Sequence, residues 1–228
     1  MRLPQLTLLS LCVLGSSVSA TPSSPWQQPL SLSTADRPTV ERAAQQARSL
    51  LLTETIGTLS TIFPSGERHG LEGQPIGLMD YYADCSSDGN PTFLGMNIAT
   101  SFINGAAPNS SISLSIREHG TGRFSAAAHP RVALMGELVR IDDPAEEERV
   151  KECYLKKHPD AKWWTGGNFH GNYWTRLKVK SVYWVGGFGN VAYIGWIPVE
   201  LYKKAEPEAQ QKANTGDWWR SLLLWGDL

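Results

Sequence analysis

Residues 172–196 constrain the fold more strongly than any other stretch of the chain. Two apolar runs there are rich in aromatic and β-branched residues, which favour the half-buried surface of a β-sheet. A glycine-rich segment, Gly186-Gly187-Phe188-Gly189-Asn190, separates the runs where a chain reversal is expected. We therefore predict a β-hairpin that closes a β-barrel. The glycines are interpreted first as a turn that needs positive φ, with a cofactor contact by Gly186 and Gly187 as the alternative.

Five further runs have the composition or the alternation of β-strands. They are residues 55–63, 74–83, 91–98, 110–116 and 132–141. The first three runs follow one another at short spacing, which predicts an antiparallel meander. Helical segments are predicted before, between and after the strands. The predicted fold class is therefore mostly antiparallel β with peripheral helices.

Two helices of several turns are predicted. The apolar face of the first consists of Val40, Ala43, Ala44, Ala47 and Leu51. Arg48 falls on the opposite face, which we expect to be solvated. The second helix is predicted from Asp143, a capping residue, to about His158, whose protonated ring would favour the dipole at that end. Short helices are expected at residues 100–108 and 198–204.

Both ends of the chain are predicted to lie outside the barrel. Residues 1–20 show the parts of a signal peptide, namely Arg2, a short apolar run and small residues up to Ala20. We therefore expect cleavage near Ala20 and an extracellular protein, or one lumenal in the secretory pathway. No second apolar span follows, so no membrane span is predicted. Residues 21–37 are interpreted as a flexible arm, and residues 205–228 as a Trp- and Leu-rich tail that packs on the barrel or covers a groove.

The cysteines, one sequon and the net charge indicate which covalent modifications and which classes of partner to expect. After cleavage Cys85 and Cys153 remain, and in an oxidising compartment they form either a disulfide or two separate buried thiols. Asn109 begins the Asn-Ser-Ser sequon and is predicted to be a glycosylated surface position. The formal net charge of −1 gives no whole-chain electrostatic basis for a nucleic-acid partner.

Short segments spread over residues 38–204 are similar, in their order and spacing, to a known family. They are Gly73-Gln74-Pro75, Gly89-Asn90-Pro91-Thr92-Phe93, Ser111-Ile112-Ser113-Leu114, residues 130–138, His158-Pro159-Asp160-Ala161 and residues 182–189. Together they resemble a CREG-type (cellular repressor family) domain of the pyridoxamine 5′-phosphate oxidase-like, FMN-binding split-barrel superfamily. The resemblance implies a six-stranded split β-barrel that forms a homodimer. For the CREG branch it also implies a secreted or lysosomal-type glycoprotein.

The resemblance also implies where a cofactor would lie. Flavin-binding members hold the FMN phosphate with basic and hydroxyl side chains of the central strands, and we take residues 74–98 as the corresponding segment. This segment contains no Lys or Arg, so a phosphate there would lack its charge-assisted partners. The sequence therefore predicts a degenerate flavin site and no bound cofactor.

Haem and FMN remain as alternative cofactors. Haem-degrading relatives share a Gly-Gly-Phe-Gly-like segment, and His170 is the nearest candidate for an axial ligand. By analogy Ser101, Asn104 and Arg117 are candidates to line a ligand pocket, with ordinary solvated side chains as the alternative.

Two functional hypotheses of different classes follow. The first is a secreted, non-catalytic homodimer that binds an unknown protein or small-molecule ligand. The second is an FMN- or haem-dependent oxidoreductase of the same superfamily. The five histidines form no HExxH pair, and neither CxxC nor Gly-x-Ser-x-Gly occurs, so no catalytic residue and no metal site are assigned.

Overall fold

The computed structural model describes residues 38–119, 125–165, 171–188 and 191–208. The strands in these ranges are β1 (Ile56–Ile62), β2 (Pro75–Tyr81), β3 (Thr92–Met96), β4 (Ile112–Arg117), β5 (Arg131–Arg140), β6 (Asn172–Val185) and β7 (Ile194–Ile197). The helices are α1 (Val40–Thr53), α2 (Thr100–Gly105), α3 (Pro144–Lys157), α4 (Lys162–Thr165) and α5 (Val199–Lys204). Each predicted strand and helix is present with its ends shifted by a few residues, and α4 lies in a segment that was expected to be a loop.

The strands form one antiparallel sheet that curls into a split barrel. The strand order is β2-β1-β4-β5-β6-β3, and β7 also pairs with β6. The two ends of this order meet at an isolated bridge, where Ala83 and Thr92 exchange hydrogen bonds of 3.0 and 2.7 Å. The predicted fold class, a mostly antiparallel six-stranded split barrel with peripheral helices, is confirmed.

The split lies along one edge of β6. There β3 pairs with residues 172–176 and β7 with residues 182–185, so the backbone between these two ladders lacks a strand partner. The side chain of Asn90 fills this place, because its Oδ1 accepts a 2.8 Å hydrogen bond from the backbone N–H of Val179. Pro91 O accepts from the N–H of Leu177 in the same gap, also at 2.8 Å.

Two predictions about strand pairing were wrong. β1 and β2 form a hairpin, but β3 pairs with β6 instead of extending a meander. The β6–β7 hairpin is confirmed, yet it does not close the barrel, because β7 pairs only with β6 among the described residues. The reason is tertiary, because hydrogen bonds anchor the segment between β2 and β3 to two helices. Arg48 of α1 donates to Ser87 O, and the Tyr202 hydroxyl of α5 donates to Gly89 O.

A bulge between β5 and β6 depends on glycine. The register shifts between Met135 and Gly136, so that Gly136 lies opposite Val179 and Met135 opposite Ser181. A Cβ atom on Gly136 would lie 2.0 Å from the backbone oxygen of Lys178, which no side chain could accommodate. The bulge bends β6 at this point, as bulges generally do.

Arg48 is buried, which corrects its predicted place on a solvated face. Its side chain is 3% exposed and forms a 3.1 Å ion pair with Asp84, which is itself fully buried. The guanidinium also donates to the backbone oxygens of Ser87 (2.8 Å) and Lys203 (3.1 Å). Burial of an arginine is tolerated where such partners replace water. Helical periodicity cannot reveal these partners, because they come from distant parts of the chain.

The second long helix, α3, covers a smaller core beside the barrel. A disulfide joins Cys153 of α3 to Cys85, with Cα atoms 5.7 Å apart. His158 follows α3 as predicted, but it is buried, and its Nε2 lies 2.9 Å from Tyr82 O. Since a carbonyl can only accept, Nε2 carries the proton, and burial lowers the pKa of this histidine. Burial therefore opposes the positive charge that the helix end would favour at His158.

None of the helices in the described ranges combines the length and the apolar character that a bilayer crossing needs.

Candidate functional site

A row of small side chains crosses the outer face of four neighbouring strands. Thr58 of β1 lies opposite Ser115 of β4, Ser115 opposite Ala133 of β5, and Ala133 opposite Tyr183 of β6. These positions alternate with the inward-facing core residues of each strand. Because the first three side chains are short, they form a shallow floor on the sheet surface.

Large apolar residues stand at both ends of this floor. Met79 pairs with Thr58 and is 78% exposed, and Trp196 pairs with Tyr183 and is 61% exposed. Over this floor lies a cavity of about 430 Å³, which we call the outer cavity and which includes Met79 in its lining. It is lined by Ile56, Gly57, Thr58, Met79, Ser115, Ile116, Arg117, His119, Arg131, Val132, Ala133, Tyr183 and Val185. A cavity of this volume and mostly apolar lining is typical of a small-molecule site.

Two arginines of the outer cavity face each other directly. Arg117, at the end of β4, lies opposite Arg131, at the start of β5. Like charges opposed across an antiparallel pair destabilise a sheet, since their Cβ atoms lie only about 4.5–5.5 Å apart. Among the described residues neither guanidinium forms an ion pair with a carboxylate. This side of the cavity therefore presents two positive charges that an anionic group would neutralise.

His119 lines the same cavity and is held by the end of α1. Glu54, the C-cap of α1, places its Oε2 2.5 Å from His119 Nδ1, and its Oε1 accepts a 3.0 Å hydrogen bond from the His119 backbone N–H. Because the Glu54 carboxylate occupies Nδ1, Nε2 is the ring nitrogen that could contact a ligand. Many metal-binding histidines are oriented by a carboxylate in this way. His129 forms a similar pair with Glu118 at 2.9 Å, but it is not among the lining residues.

The candidate residues taken from the resemblance are not brought together. Arg117 lines the outer cavity, whereas Ser101 and Asn104 of α2 are buried at 1% and 3% exposure. The side chain of Asn104 donates to Thr61 Oγ1 at 3.2 Å, inside the barrel. His170 lies outside the described residues, as do Gly189, Asn190 and residues 209–228 of the tail. Asn109 is exposed, as a glycosylation position requires.

The two glycines after β6 serve the backbone geometry of the hairpin. Gly187 has a positive φ of 134°, and a Cβ atom there would lie 2.8 Å from Ala128 O. Gly186 donates a 3.0 Å hydrogen bond to Tyr193 O and continues the hairpin. The turn with positive φ at glycine is thus confirmed for Gly187, and neither glycine is among the residues that line the outer cavity.

The segment without Lys or Arg does not form the central strands, which corrects the prediction of a degenerate flavin site there. Residues 74–98 form β2 and β3, which are the two end strands of the order and not the central ones. The central strands are β4 and β5, and they carry Arg117 and Arg131. Arg117 was a candidate by analogy, and it lies at the end of β4, one residue beyond the predicted strand. Arg131 and His119 were missed because their positions depend on strand pairing and on Glu54. The predicted absence of a cofactor stays a prediction.

Solved structures from bacteria share this fold. A haem-binding protein from Mycobacterium smegmatis is similar at 24% identity and a TM-score of 0.61, over 75% of this chain and 62% of that chain. A protein of unknown function from Agrobacterium tumefaciens strain C58 is similar at 22% identity and a TM-score of 0.54, over 72% of this chain and 63% of that chain. ChuZ from Campylobacter jejuni is similar at 13% identity and a TM-score of 0.51, over 70% of this chain and 62% of that chain. This chain thus spans less than two thirds of each of the three, and at these identities the likeness shows the fold alone.

A family model identifies the family to which this chain belongs. The chain has no match among the curated proteins. The family described as "CREG, beta-barrel" matches residues 38–204, which is most of the chain. The chain therefore belongs to the CREG β-barrel family.

Proposed function

We propose that this protein binds a flat, largely apolar molecule with acidic groups in the outer cavity, and that haem is the first such molecule to test. The observation that carries the proposal is the opposed pair Arg117 and Arg131, which lacks a carboxylate partner in the described part of the chain. Haem combines an apolar macrocycle with two acidic side chains, which matches a mostly apolar cavity with two guanidiniums on one side. A structural neighbour is described as a haem-binding protein.

His119 is the residue of this chain that would meet the iron of a bound haem. Haem supplies an iron centre whose axial position an imidazole nitrogen can occupy. Glu54 fixes the His119 ring through Nδ1 at 2.5 Å, so Nε2 faces no competing partner from Glu54. His119 is therefore proposed as an iron ligand beside His170, which lies outside the described residues.

The decisive experiment is a haemin titration of the full chain, followed by the Soret band. We expect saturable binding that weakens about a hundredfold in Arg117→Met/Arg131→Met, because each lost charged hydrogen bond costs about 1.5 kcal/mol or more. Arg140→Met is the matched control, since Arg140 is an exposed arginine on β5 that does not line the cavity. Equal affinity of the double variant and the control would refute the proposal.

The axial ligand is tested by the band position rather than by affinity alone. His119→Ala should shift the Soret and visible bands of the ferric complex, because the iron loses its imidazole. His129→Ala is the control, since it removes a similar His–Glu pair outside the cavity. Identical spectra of the wild type and His119→Ala would exclude His119 as the ligand.

We infer that the role is binding without catalysis, and that an FMN- or haem-dependent oxidoreductase is the alternative. The guanidiniums of Arg117 and Arg131 neutralise acidic groups but do not exchange protons near neutral pH, so they suit binding better than acid–base catalysis. Haem that keeps its Soret band in the presence of reductant and oxygen would support binding, whereas protein-dependent loss of the band would support the oxidoreductase. Since guanidiniums also suit phosphate, FMN is titrated in the same way.

We also propose that the protein is a homodimer in which a second copy covers the outer face. The support is the exposure of Met79 and Trp196, two large apolar side chains beside the outer cavity. Exposed apolar residues grouped on one face are typical of interaction sites. Light scattering at micromolar concentration should give twice the chain mass, and Trp196→Glu should shift it toward the monomer. A wild-type monomer would exclude the dimer.

Export and glycosylation complete the proposal. Residues 1–20 have the pattern of a signal peptide, and Asn109 is exposed in a turn with a positive φ of 59°. Expression in a secreting eukaryotic host should give medium protein that begins near Thr21 and loses mass with an N-glycosidase. Retention of residues 1–20 in a cytosolic product would contradict export, and an unchanged mass would contradict glycosylation.

A further inference from the structure

A second cavity, which we call the side cleft, opens between β2 and β3. The bridge at Ala83 and Thr92 joins these strands, but the ladder does not continue beyond it. The cleft has a volume of about 190 Å³ and is lined by both strands, by Tyr154 of α3 and by Trp164 of α4. Its size suits a ligand of a few heavy atoms rather than a cofactor.

Asp80 of β2 gives the side cleft a negative charge. Within the described ranges no basic residue lines the cleft, and Asp80 forms no ion pair there. Burial raises the pKa of this carboxyl to about 6, and a hydrogen bond with the Ser101 hydroxyl opposes the shift. Asp80 is therefore mostly ionised at neutral pH, in a partly dry site and without a cationic partner.

Aromatic residues line the same cleft, and their own contacts hold the rings in place. The Tyr81 and Trp164 rings lie 6.4 Å apart at 49°, and Tyr81 stacks on His158 at 4.5 Å. The Tyr154 hydroxyl donates to Tyr81 O at 3.2 Å, and the Tyr81 hydroxyl donates to Asp160 at 3.2 Å. Because both hydroxyls are engaged, the tyrosines offer ring surface rather than polar atoms to a ligand.

We propose that the side cleft binds a small organic cation of the alkylammonium class, with Asp80 as counter-ion and the rings of Tyr81, Tyr154 and Trp164 as its walls. Aromatic faces attract ammonium groups through the ring quadrupole, and quaternary ammonium ligands are recognised in this way. A divalent metal ion fits less well, because Ca²⁺ and Mg²⁺ need six or more oxygen ligands and the cleft offers one carboxylate. The proposal does not depend on the ligand of the outer cavity.

The test uses tetramethylammonium chloride as the probe, with the full chain at constant ionic strength. Isothermal titration calorimetry should show saturable binding with a Kd on the order of 1 mM, which corresponds to about 4 kcal/mol. The neutral isostere tert-butyl alcohol should bind at least tenfold more weakly, because it lacks the charge. This comparison needs no variant, so it is independent of folding effects.

Variants of cleft residues, compared with the wild type and with a control variant, test whether the cation binds in the cleft. Asp80→Asn removes the charge with little change of shape, and we expect at least tenfold weaker binding of tetramethylammonium. Trp164→Leu should weaken binding about fivefold or more, while its neighbour Trp163→Leu should not, since Trp163 is 71% exposed and outside the cleft. Equal binding of the neutral isostere, or wild-type affinity in Asp80→Asn or Trp164→Leu, would overturn the proposal.

Discussion

The outer cavity and the side cleft are built in opposite ways on the same barrel. The outer cavity carries two arginines on paired strands, so the strand ladder sets their spacing. The side cleft carries one aspartate, and its walls come from β2, β3, α3 and α4, which are far apart in sequence. One site is thus positively charged and fixed by backbone pairing, and the other is negatively charged and fixed by tertiary packing.

Because they are built differently, the two sites should respond differently to mutations elsewhere in the chain. A site built on one continuous sheet face should survive the loss of a distant cross-link, because the ladder of hydrogen bonds persists. A site assembled from separate elements should lose its geometry when the contact between those elements loosens. Changes that affect one site and spare the other therefore test whether the two sites are independent.

The largest expected effect comes from the disulfide beside the side cleft. Cys153 precedes Tyr154, and the bond to Cys85 closes a sequence separation of 68 residues. Cys85→Ser/Cys153→Ser should lower the free energy of unfolding by about 4 kcal/mol, from the entropy of a loop of that length. Urea denaturation measures this loss. Tetramethylammonium binding should weaken while haem affinity stays within about twofold, and equal weakening of both would show that the sites are coupled.

A second prediction concerns the floor of the outer cavity. Ala133→Leu adds three carbons between Ser115 and Tyr183, where a flat ligand would lie. We expect at least tenfold weaker haem binding, since a single extra methylene changes pocket affinity by about 1–3 kcal/mol. Val139→Leu, on the same strand and outside the cavity, is the control. Unchanged haem affinity in Ala133→Leu would place the ligand elsewhere, and tetramethylammonium binding should not change.

A third prediction uses the pH dependence of the side cleft. With the pKa of Asp80 at about 6, its ionised fraction falls roughly tenfold between pH 7 and pH 5. Tetramethylammonium affinity should fall by about the same factor. The other groups that face the cleft do not reverse this: the pKa values of Tyr81 and Tyr154 are raised, and that of His158, behind Tyr81, is lowered. Calorimetry at both pH values with pH-independent affinity would contradict Asp80 as counter-ion.

The smallest expected effect is on stability and involves the same carboxyl. Because burial raises the pKa of Asp80 from 3.8 to about 6, the folded state binds more protons between these values. The stabilisation is therefore complete below pH 3.8 and is lost as the pH rises through about 6. Urea midpoints of the wild type relative to Asp80→Asn should decline between pH 4 and pH 7 and level off above. A difference that does not depend on pH would contradict the burial of this group.

The elements of the fold could be predicted from the sequence, because their signals are local. Alternation of Ile112, Leu114 and Ile116 identifies β4, and the capping residue Asp143 identifies the start of α3, where its side chain accepts from Ala145 N–H. The pairing of β3 with β6 could not be predicted, because it depends on contacts across about 80 residues of chain. Arg48 was misplaced for the same reason, since Asp84 and Lys203 are distant in sequence.

The candidate sites were less predictable than the fold. Arg117 was identified by analogy, but its partner Arg131 became evident only when the register of β4 and β5 was known. The side cleft had no signal in the sequence, because Asp80, Tyr154 and Trp164 are brought together by the packing of separate elements. Strand pairing decides which charges oppose each other, and tertiary packing decides which carboxylates lack a cationic partner. Neither feature can be read from the linear sequence.

The side chain that fills the split of the barrel has a consequence for the processing of the chain. Asn90 Oδ1 accepts from Val179 N–H at 2.8 Å, and its Nδ2 donates to Asp88 Oδ2 at 2.6 Å. Asn90-Pro91-Thr92 would be an acceptor for a glycan if the middle residue were not proline. Proline also lacks the backbone N–H through which an asparagine side chain deamidates by ring closure. Pro91 therefore removes both the sequon and the ring-closing N–H at the amide that fills the split, and a Pro91→Ala change would restore both.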